Sequence, residues 1–336
     1  MISSHRLPGS SKSEGEKASP FPKRFIVIGK GGTGKTTISA AMARALSSRG
    51  SRTLVVSLDP AHNLGDVLGS PLAAEPKEVK EGLSALEVDL DSQVQAYVRK
   101  KLSQMRPIYG HLQIFNADHF LEALEQSPGM EEFAMLEAVG EIRERSPAYD
   151  AVILDTAPTG MTLRMLSLPT VTLLWIDNLL SLRLKILERR AYIQRVERSD
   201  KLRTEDLSGD DPVVQELRRY RGEIIEIQSF LRDTDAAVLL MLQADKLSVT
   251  EADRAIEKLS NGGFTVGTCI INRTTKGKER ITRYAVSGLD EFIRRRGGIR
   301  WIELPDMRGE ISTPQGLDAL GNMIIDALSA QQGGHR

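Results

Sequence analysis

Cysteine is nearly absent: Cys269 is the only one among 336 residues, so neither an intrachain disulfide nor a multi-thiolate metal site can form within one chain. That points to the cytoplasm. Net charge is absent as well, because 45 basic residues balance 45 acidic ones, and no global field draws the chain to nucleic acid or to an anionic membrane. A charged partner must be met by a local patch. Long apolar runs are also missing: the longest, 171–184, is interrupted by Asp177, Asn178 and Arg183 and is shorter than the roughly 20 residues of a spanning helix. Residues 1–22, rich in Ser, Gly, Pro and Lys, lack the apolar core of a secretory signal. They read as a disordered tail, with a targeting role as the alternative, and 331–336 read as a short polar tail.

What is present is an ordinary globular balance, 40% hydrophobic and 27% charged, over a length that supports a sizeable core. Six short apolar or β-branched runs, at 24–29, 53–59, 151–155, 236–243, 267–272 and 299–305, alternate with helical patterns. This spacing predicts an α/β fold with a doubly wound, mostly parallel sheet. Two long helical stretches, about 91–145 and 163–232, lack convincing strands and are expected to pack as an inserted α-helical subdomain within one domain, 23–330. In the second stretch Ile176, Leu180, Leu184, Leu187 and Ala191 recur at helical spacing, so this helix is amphipathic. Its apolar face is either core or the wall of a groove. The segment 204–212 reads as a polar loop.

The first run leads directly into Gly29-Lys30-Gly31-Gly32-Thr33-Gly34-Lys35-Thr36-Thr37, followed by a helix-forming segment. Strand, glycine-rich loop and helix in this order make a P-loop: backbone N–H groups and the helix N-terminus cradle phosphates, Lys35 reaches the β- and γ-phosphates, and the Thr36 hydroxyl ligates magnesium. ATP and Mg2+ are the expected ligands. Lys30 places a second cation in the loop, read as a surface lysine or as a group aimed at a nucleotide. The run 151–155 ends in Asp155, a candidate to hold magnesium directly or through water, and Thr156-Ala157-Pro158-Thr159-Gly160 after it reads as a switch. Asp59, beyond the second run, is equally a water-orienting base or a helix N-cap.

At these segments the chain resembles the ArsA/Get family, the arsenite-pump ATPases and the targeting ATPases that carry tail-anchored membrane proteins. The matching stretches are KGGTGKTT from Lys30, SLDPAHNLGDVLG from Ser57, PGMEEFAMLEAV from Pro128, YDAVILDTAPTGMTLRMLSLPT from Tyr149, the strand-helix-strand unit 236–273 ending in IINR, and ELPDMRGE from Glu303. The resemblance implies a P-loop NTPase fold, and it implies that Lys30 reaches across a homodimer to the partner's phosphates. It implies that Asp59 positions the attacking water and that Asn272 contacts adenine. Pro305, Asp306, Met307 and Arg308 fall in the adenine-side loop, and Asp245 aligns with an acidic residue that reaches the partner's nucleotide. Asp245 stands where Glu is usual, and the loop after Pro305 is shorter than the family's.

Four departures bear on function. The chain lacks the CxxC pair that binds zinc across the dimer in eukaryotic targeting ATPases, so zinc is not expected. Cys269 alone cannot supply an arsenite site, and a single P-loop implies that two chains meet to pair their sites. Met161 replaces the switch histidine. The leading expectation is an ATPase whose homodimer closes and opens to capture and release a transmembrane helix, with a membrane receptor as a further partner; 115–124, 130–139 and 173–187 are candidate walls. The alternatives are the motor of an anion or arsenite pump, and a ParA/MinD-like organiser that binds DNA or membrane through the basic segment 273–300. Such basic runs are more often solvated helix faces, and nucleic acid is not the expected partner.

Overall fold

The computed structural model describes residues 22–61, 63–105, 126–198, 211–275, 277–307, 311 and 313–330. The candidate wall 115–124, Arg308, nearly all of the expected loop 204–212 and all but one residue of the two tails lie outside the described residues. In chain order the elements begin β1 (Arg24–Gly29), α1 (Lys35–Ser48), β2 (Thr53–Ser57), α2 (Leu64–Leu68), β3 (Lys77–Lys80), β4 (Leu83–Glu87), α3 (Leu90–Met105) and α4 (Met130–Arg145). They continue with β5 (Ala151–Asp155), α5 (Thr159–Arg198), α6 (Pro212–Arg232), β6 (Ala236–Gln243) and α7 (Lys246–Asn261). The last are β7 (Val266–Thr274), α8 (Gly277–Ser287), α9 (Leu289–Arg295), β8 (Arg300–Pro305) and α10 (Pro314–Ser329).

β1 is apolar on both faces because both are covered: Phe25 and Val27 join one core layer, Ile26 and Ile28 the other. It therefore lies inside an eight-stranded sheet of order β3-β4-β2-β5-β1-β6-β7-β8. Every pairing is parallel except β3 with β4. Parallel strands gather their C-terminal ends on one edge, where the loops after β1, β2, β5, β6 and β7 converge. Helices α1 and α10 cover one face, and Gly321 of α10 lies so close to α1 that a Cβ there would stand 2.0 Å from the Ala41 carbonyl oxygen. The other face is covered by α4, the first half of α5, α6, α7 and α9.

The sheet has two strands more than the sequence pattern predicts. β3, Lys-Glu-Val-Lys, carries too little apolar character to read as a strand, and β4, Leu-Ser-Ala-Leu-Glu, has helix-forming residues. Pairing with β2 decides the matter for β4. The second helical stretch also begins earlier than 163: α5 starts at Thr159 and continues through Pro169 for 40 residues. Helices α3 to α6 pack together, joined by the Gln93–Glu141 hydrogen bond and the Arg143–Glu226, Arg164–Glu132 and Asp177–Arg221 ion pairs.

On α5 the predicted apolar face is core, with Ile176, Leu187 and Ala191 buried and Leu180 and Leu184 half-buried. The opposite face is apolar too, and it is bare: Leu174, Trp175, Leu179 and Leu182 are 63%, 67%, 46% and 56% exposed. An 18-residue window of this helix has mean hydropathy 1.4 and is only 22% buried, so α5 is long and apolar enough to cross a membrane by length and composition. The charges that interrupt the run hold it against α6 instead, through Asp177–Arg221 and Arg183–Asp211.

Candidate functional site

The loop from Lys30 to Gly34 leaves β1 at the central C-terminal edge and turns into α1. Gly29 needs its missing side chain, since a Cβ there would meet Met241 and Thr33 at 2.7 to 2.8 Å. Gly34, the N-cap residue of α1, has φ 97°, a left-handed conformation that favours glycine. The turn between them is closed by the Thr33 hydroxyl donating to the Lys30 carbonyl at 2.7 Å and the Thr33 N–H donating to the same oxygen at 3.2 Å. Gly31 and Gly32 are exposed at its tip, and Lys30, half-buried, pairs with no acid among the described residues.

Below the tip the charges converge. Lys35, on the first turn of α1, is 5% exposed, and its Nζ stands 3.9 Å from Oδ2 of Asp59. Asp59 does not cap a helix: α2 begins five residues later behind Asn63, while Oδ1 of Asp59 accepts the Ala61 N–H at 3.1 Å. This Asx turn leaves Oδ2 directed to the lysine. The helix-cap reading is thereby removed.

Asp155 ends β5 fully buried; its Oδ1 accepts from the Ser39 hydroxyl at 3.3 Å and its Oδ2 has no hydrogen-bond partner. Burial pushes its pKa up to about 7, opposed by the Thr36 hydroxyl and the Lys35 charge and reinforced by Asp59. An orphaned carboxylate oxygen beside a P-loop threonine is the donor set of a hard cation that completes its shell with phosphates and water. Thr36 and Asp155 thus fit magnesium.

A second pocket lies on the other side of α1, lined by Gly34, Thr37, Ile38, Asn272, Arg273, Asp306, Met307, Ile311 and Leu320. It brings Asn272 and Asp306 together beside the P-loop, with Pro305 at the end of β8. Both ends of the Asn272 amide are engaged in this structure, Nδ2 donating to the Thr33 carbonyl at 2.8 Å and Oδ1 accepting the Arg273 N–H at 2.9 Å. Arg273 adopts φ 57°, the one described non-glycine residue with positive φ. Asp245 joins neither group: it caps α7, accepting the Ser248 N–H at 2.9 Å.

Sequence reasoning passed over Ser39, Gln243 and Arg273. Ser39 carries a readable signal, standing one helical turn after Lys35 and so on the same face of α1. Gln243 ends a parallel strand, the edge on which ligand sites form, and its Nε2 donates to the Gly32 carbonyl at 3.1 Å. Nothing in its local pattern marks it. Three arginines of the basic segment are paired within the chain, Arg295 and Arg296 with Asp253 and Arg280 with Glu303. Cys269 is buried in β7, and burial raises its thiol pKa to about 12.

A Chlorobaculum tepidum protein provisionally named an arsenical pump-driving ATPase is 36% identical over 256 residues, 75% of this chain and 61% of that protein, so the chain spans less than two thirds of this relative's length. An Aquifex aeolicus protein, provisionally named arsenical pump-driving ATPase 2, is 29% identical over 74% of this chain and 79% of its own. The protein named ATPase get3 from Schizosaccharomyces japonicus is 30% identical over 80% of this chain and 78% of its own. The sequence profile described as anion-transporting ATPase matches residues 23–283, and the chain belongs to that family.

Proposed function

We propose that this protein is a magnesium-dependent ATPase of the cytoplasm whose homodimer, closing on ATP and opening after hydrolysis, captures and releases the transmembrane helix of a membrane-protein client. One observation carries the reading: α5 starts at Thr159, four residues after Asp155, and runs unbroken from the phosphate edge to the bare apolar stripe of Leu174, Trp175, Leu179 and Leu182. At 1.5 Å per residue a 40-residue helix is about 60 Å long. A displacement of the segment after Asp155 would therefore reorient the stripe.

The chemistry proposed follows from the side chains. Lys35 holds the β- and γ-phosphates and Asp59 orients a water for attack on the γ-phosphorus, its second oxygen fixed by the Ala61 N–H. Lys30, which pairs with no acid among the described residues, supplies charge to the phosphates of a second copy. Thr36 and Asp155 would hold the magnesium that neutralises phosphate charge when bound. The pocket at Asn272 receives the base, with amide and carboxylate groups at its rim and Met307, Ile311 and Leu320 for the purine face.

The pump-motor reading is favoured by the description of the family as anion-transporting ATPase and by the names of several relatives, whereas the buried thiol of Cys269 is poorly placed to bind a metalloid. The organiser reading is weakened by the pairing of Arg280, Arg295 and Arg296 with Glu303 and Asp253. The test is site-specific photocrosslinking from position 179 to a transmembrane-helix peptide, in an Asp59→Asn protein that binds ATP without hydrolysing it. Crosslinks that depend on ATP and vanish when Trp175→Glu is added, a substitution that leaves ATP turnover unchanged in the protein with Asp59 intact, support the proposal. Nucleotide-independent crosslinks, or none, refute client capture.

A further inference from the structure

The P-loop tip has almost nothing to rest on. A Cβ added at Gly31 or Gly32 would meet no atom within 4 Å, and Gly32 has φ 79°, so neither packing nor backbone preference holds this peptide in one orientation. A loop that must present N–H groups to phosphates nevertheless has to be set before the ligand arrives.

Two side-chain amides do this, from the ends of adjacent strands. Asn272 donates to the carbonyl of Thr33, and Gln243 donates to the carbonyl of Gly32. In a trans peptide the C=O and the following N–H point in opposite directions. A carbonyl held outward by the sheet edge therefore turns the next N–H the other way: Asn272 sets that of Gly34, and Gln243 sets that of Thr33, which closes on the Lys30 carbonyl. Gln243 is itself clamped, its N–H donating to the Ser248 hydroxyl at 2.9 Å and its carbonyl accepting the Asp245 N–H at 2.9 Å. The first turn of α7 thereby makes a fixed post of Gln243.

We infer that Gln243 is a positioning residue of the phosphate site, orienting the Gly32–Thr33 peptide and with it the turn that projects Lys30. It acts through the loop and touches no reacting atom. The inference rests on the proposed nucleotide reading of that loop and assigns a role to a residue that the family resemblance leaves without one.

The test uses Gln243→Met, which keeps length and volume and removes the donor, and Gln243→Glu, which keeps shape and sets a carboxylate against the Gly32 carbonyl. Dissociation constants for Mg·ATP are measured by calorimetry, and magnesium pyrophosphate, which carries phosphates without a base, is titrated in competition. Losing one hydrogen bond predicts about five-fold weaker binding of both ligands to Gln243→Met, with an unchanged urea midpoint in the absence of nucleotide. Gln243→Glu should weaken both by more than ten-fold, because the donor is lost and a negative charge is added. Wild-type affinity for both ligands in Gln243→Met overturns the inference, as does a loss confined to ATP with pyrophosphate unaffected. A wild-type protein that binds no ATP overturns the functional reading as well, so the two failures are distinguishable.

Discussion

Gly321→Ala is expected to destabilise the protein although alanine is the better helix former. Gly321 lies within α10, and its added Cβ would stand 2.0 Å from the Ala41 oxygen, 2.6 Å from the Ala41 carbonyl carbon and 2.9 Å from the Ala45 Cβ. A carbon–oxygen contact relaxes only near 3.3 Å, so the helices must part by about 1.3 Å. Helix α1 cannot yield, because it is joined to the P-loop and its Ile38, Ala41 and Met42 are buried in the core. Helix α10 must move, lifting the buried Leu317, Leu320, Ile324 and Ile325 and straining the bidentate Arg44–Asp318 pair. Overpacking costs about 1–3 kcal/mol, and a clash with backbone belongs at the upper end. After subtracting about 1 kcal/mol gained in helix propensity, the net loss is about 2 kcal/mol.

The control is Gly222→Ala, inside α6, where no atom lies within 4 Å of the added Cβ. It should gain up to about 1 kcal/mol from propensity alone. Urea unfolding of both variants, with the m-value checked for constancy, should move the midpoints in opposite directions. A Gly321→Ala protein as stable as the wild type would refute the reasoning, for it would mean that α10 does not approach α1 at backbone distance.

Lys35→Ala should abolish ATP binding, whereas Asp59→Asn should bind ATP and fail to hydrolyse it; normal turnover of the Asp59 variant removes that carboxylate from the mechanism. Asp155→Asn should lose magnesium-dependent turnover yet be no less stable than the wild type without nucleotide at pH 8. The sign follows from the raised pKa: between about pH 4 and 7 the folded wild type holds a proton that the unfolded chain has released, so its stability falls as pH rises through that window. The asparagine variant should lack this fall, and a parallel pH profile of the two melting temperatures would count against it. Cys269, buried and with its thiol pKa raised to about 12, should resist a thiol-specific disulfide reagent in the native protein and react once in urea. Fast modification of the native protein would show that β7 is not closed over it.

Much of the fold and of the candidate phosphate site was legible because the necessary information is local. A P-loop is a contiguous run whose glycines, lysine and threonine sit between a strand and a helix, and Asp155 follows its own apolar strand. Buried parallel strands such as β1, β5 and β6 announce themselves by being apolar on both faces. β3 and β4 do not, since one is polar at the sheet edge and the other becomes a strand through its pairing with β2.

The sequence by itself thus determined the class of fold and singled out a candidate phosphate loop, with Lys35, Thr36, Asp59 and Asp155 as candidate site residues. Only the tertiary structure decided which reading of an ambiguous residue applies: Asp59 faces Lys35 instead of capping a helix, Asp245 caps one, and Arg295 and Arg296 face Asp253. It also decided that α5 has two apolar faces, one of them uncovered, and that Gln243 and Asn272 meet the loop from 211 and 239 residues away. The reason is physical. Local pattern reports what a residue is able to do, whereas the partner that makes it do so is brought by chain packing across distances that no local pattern records.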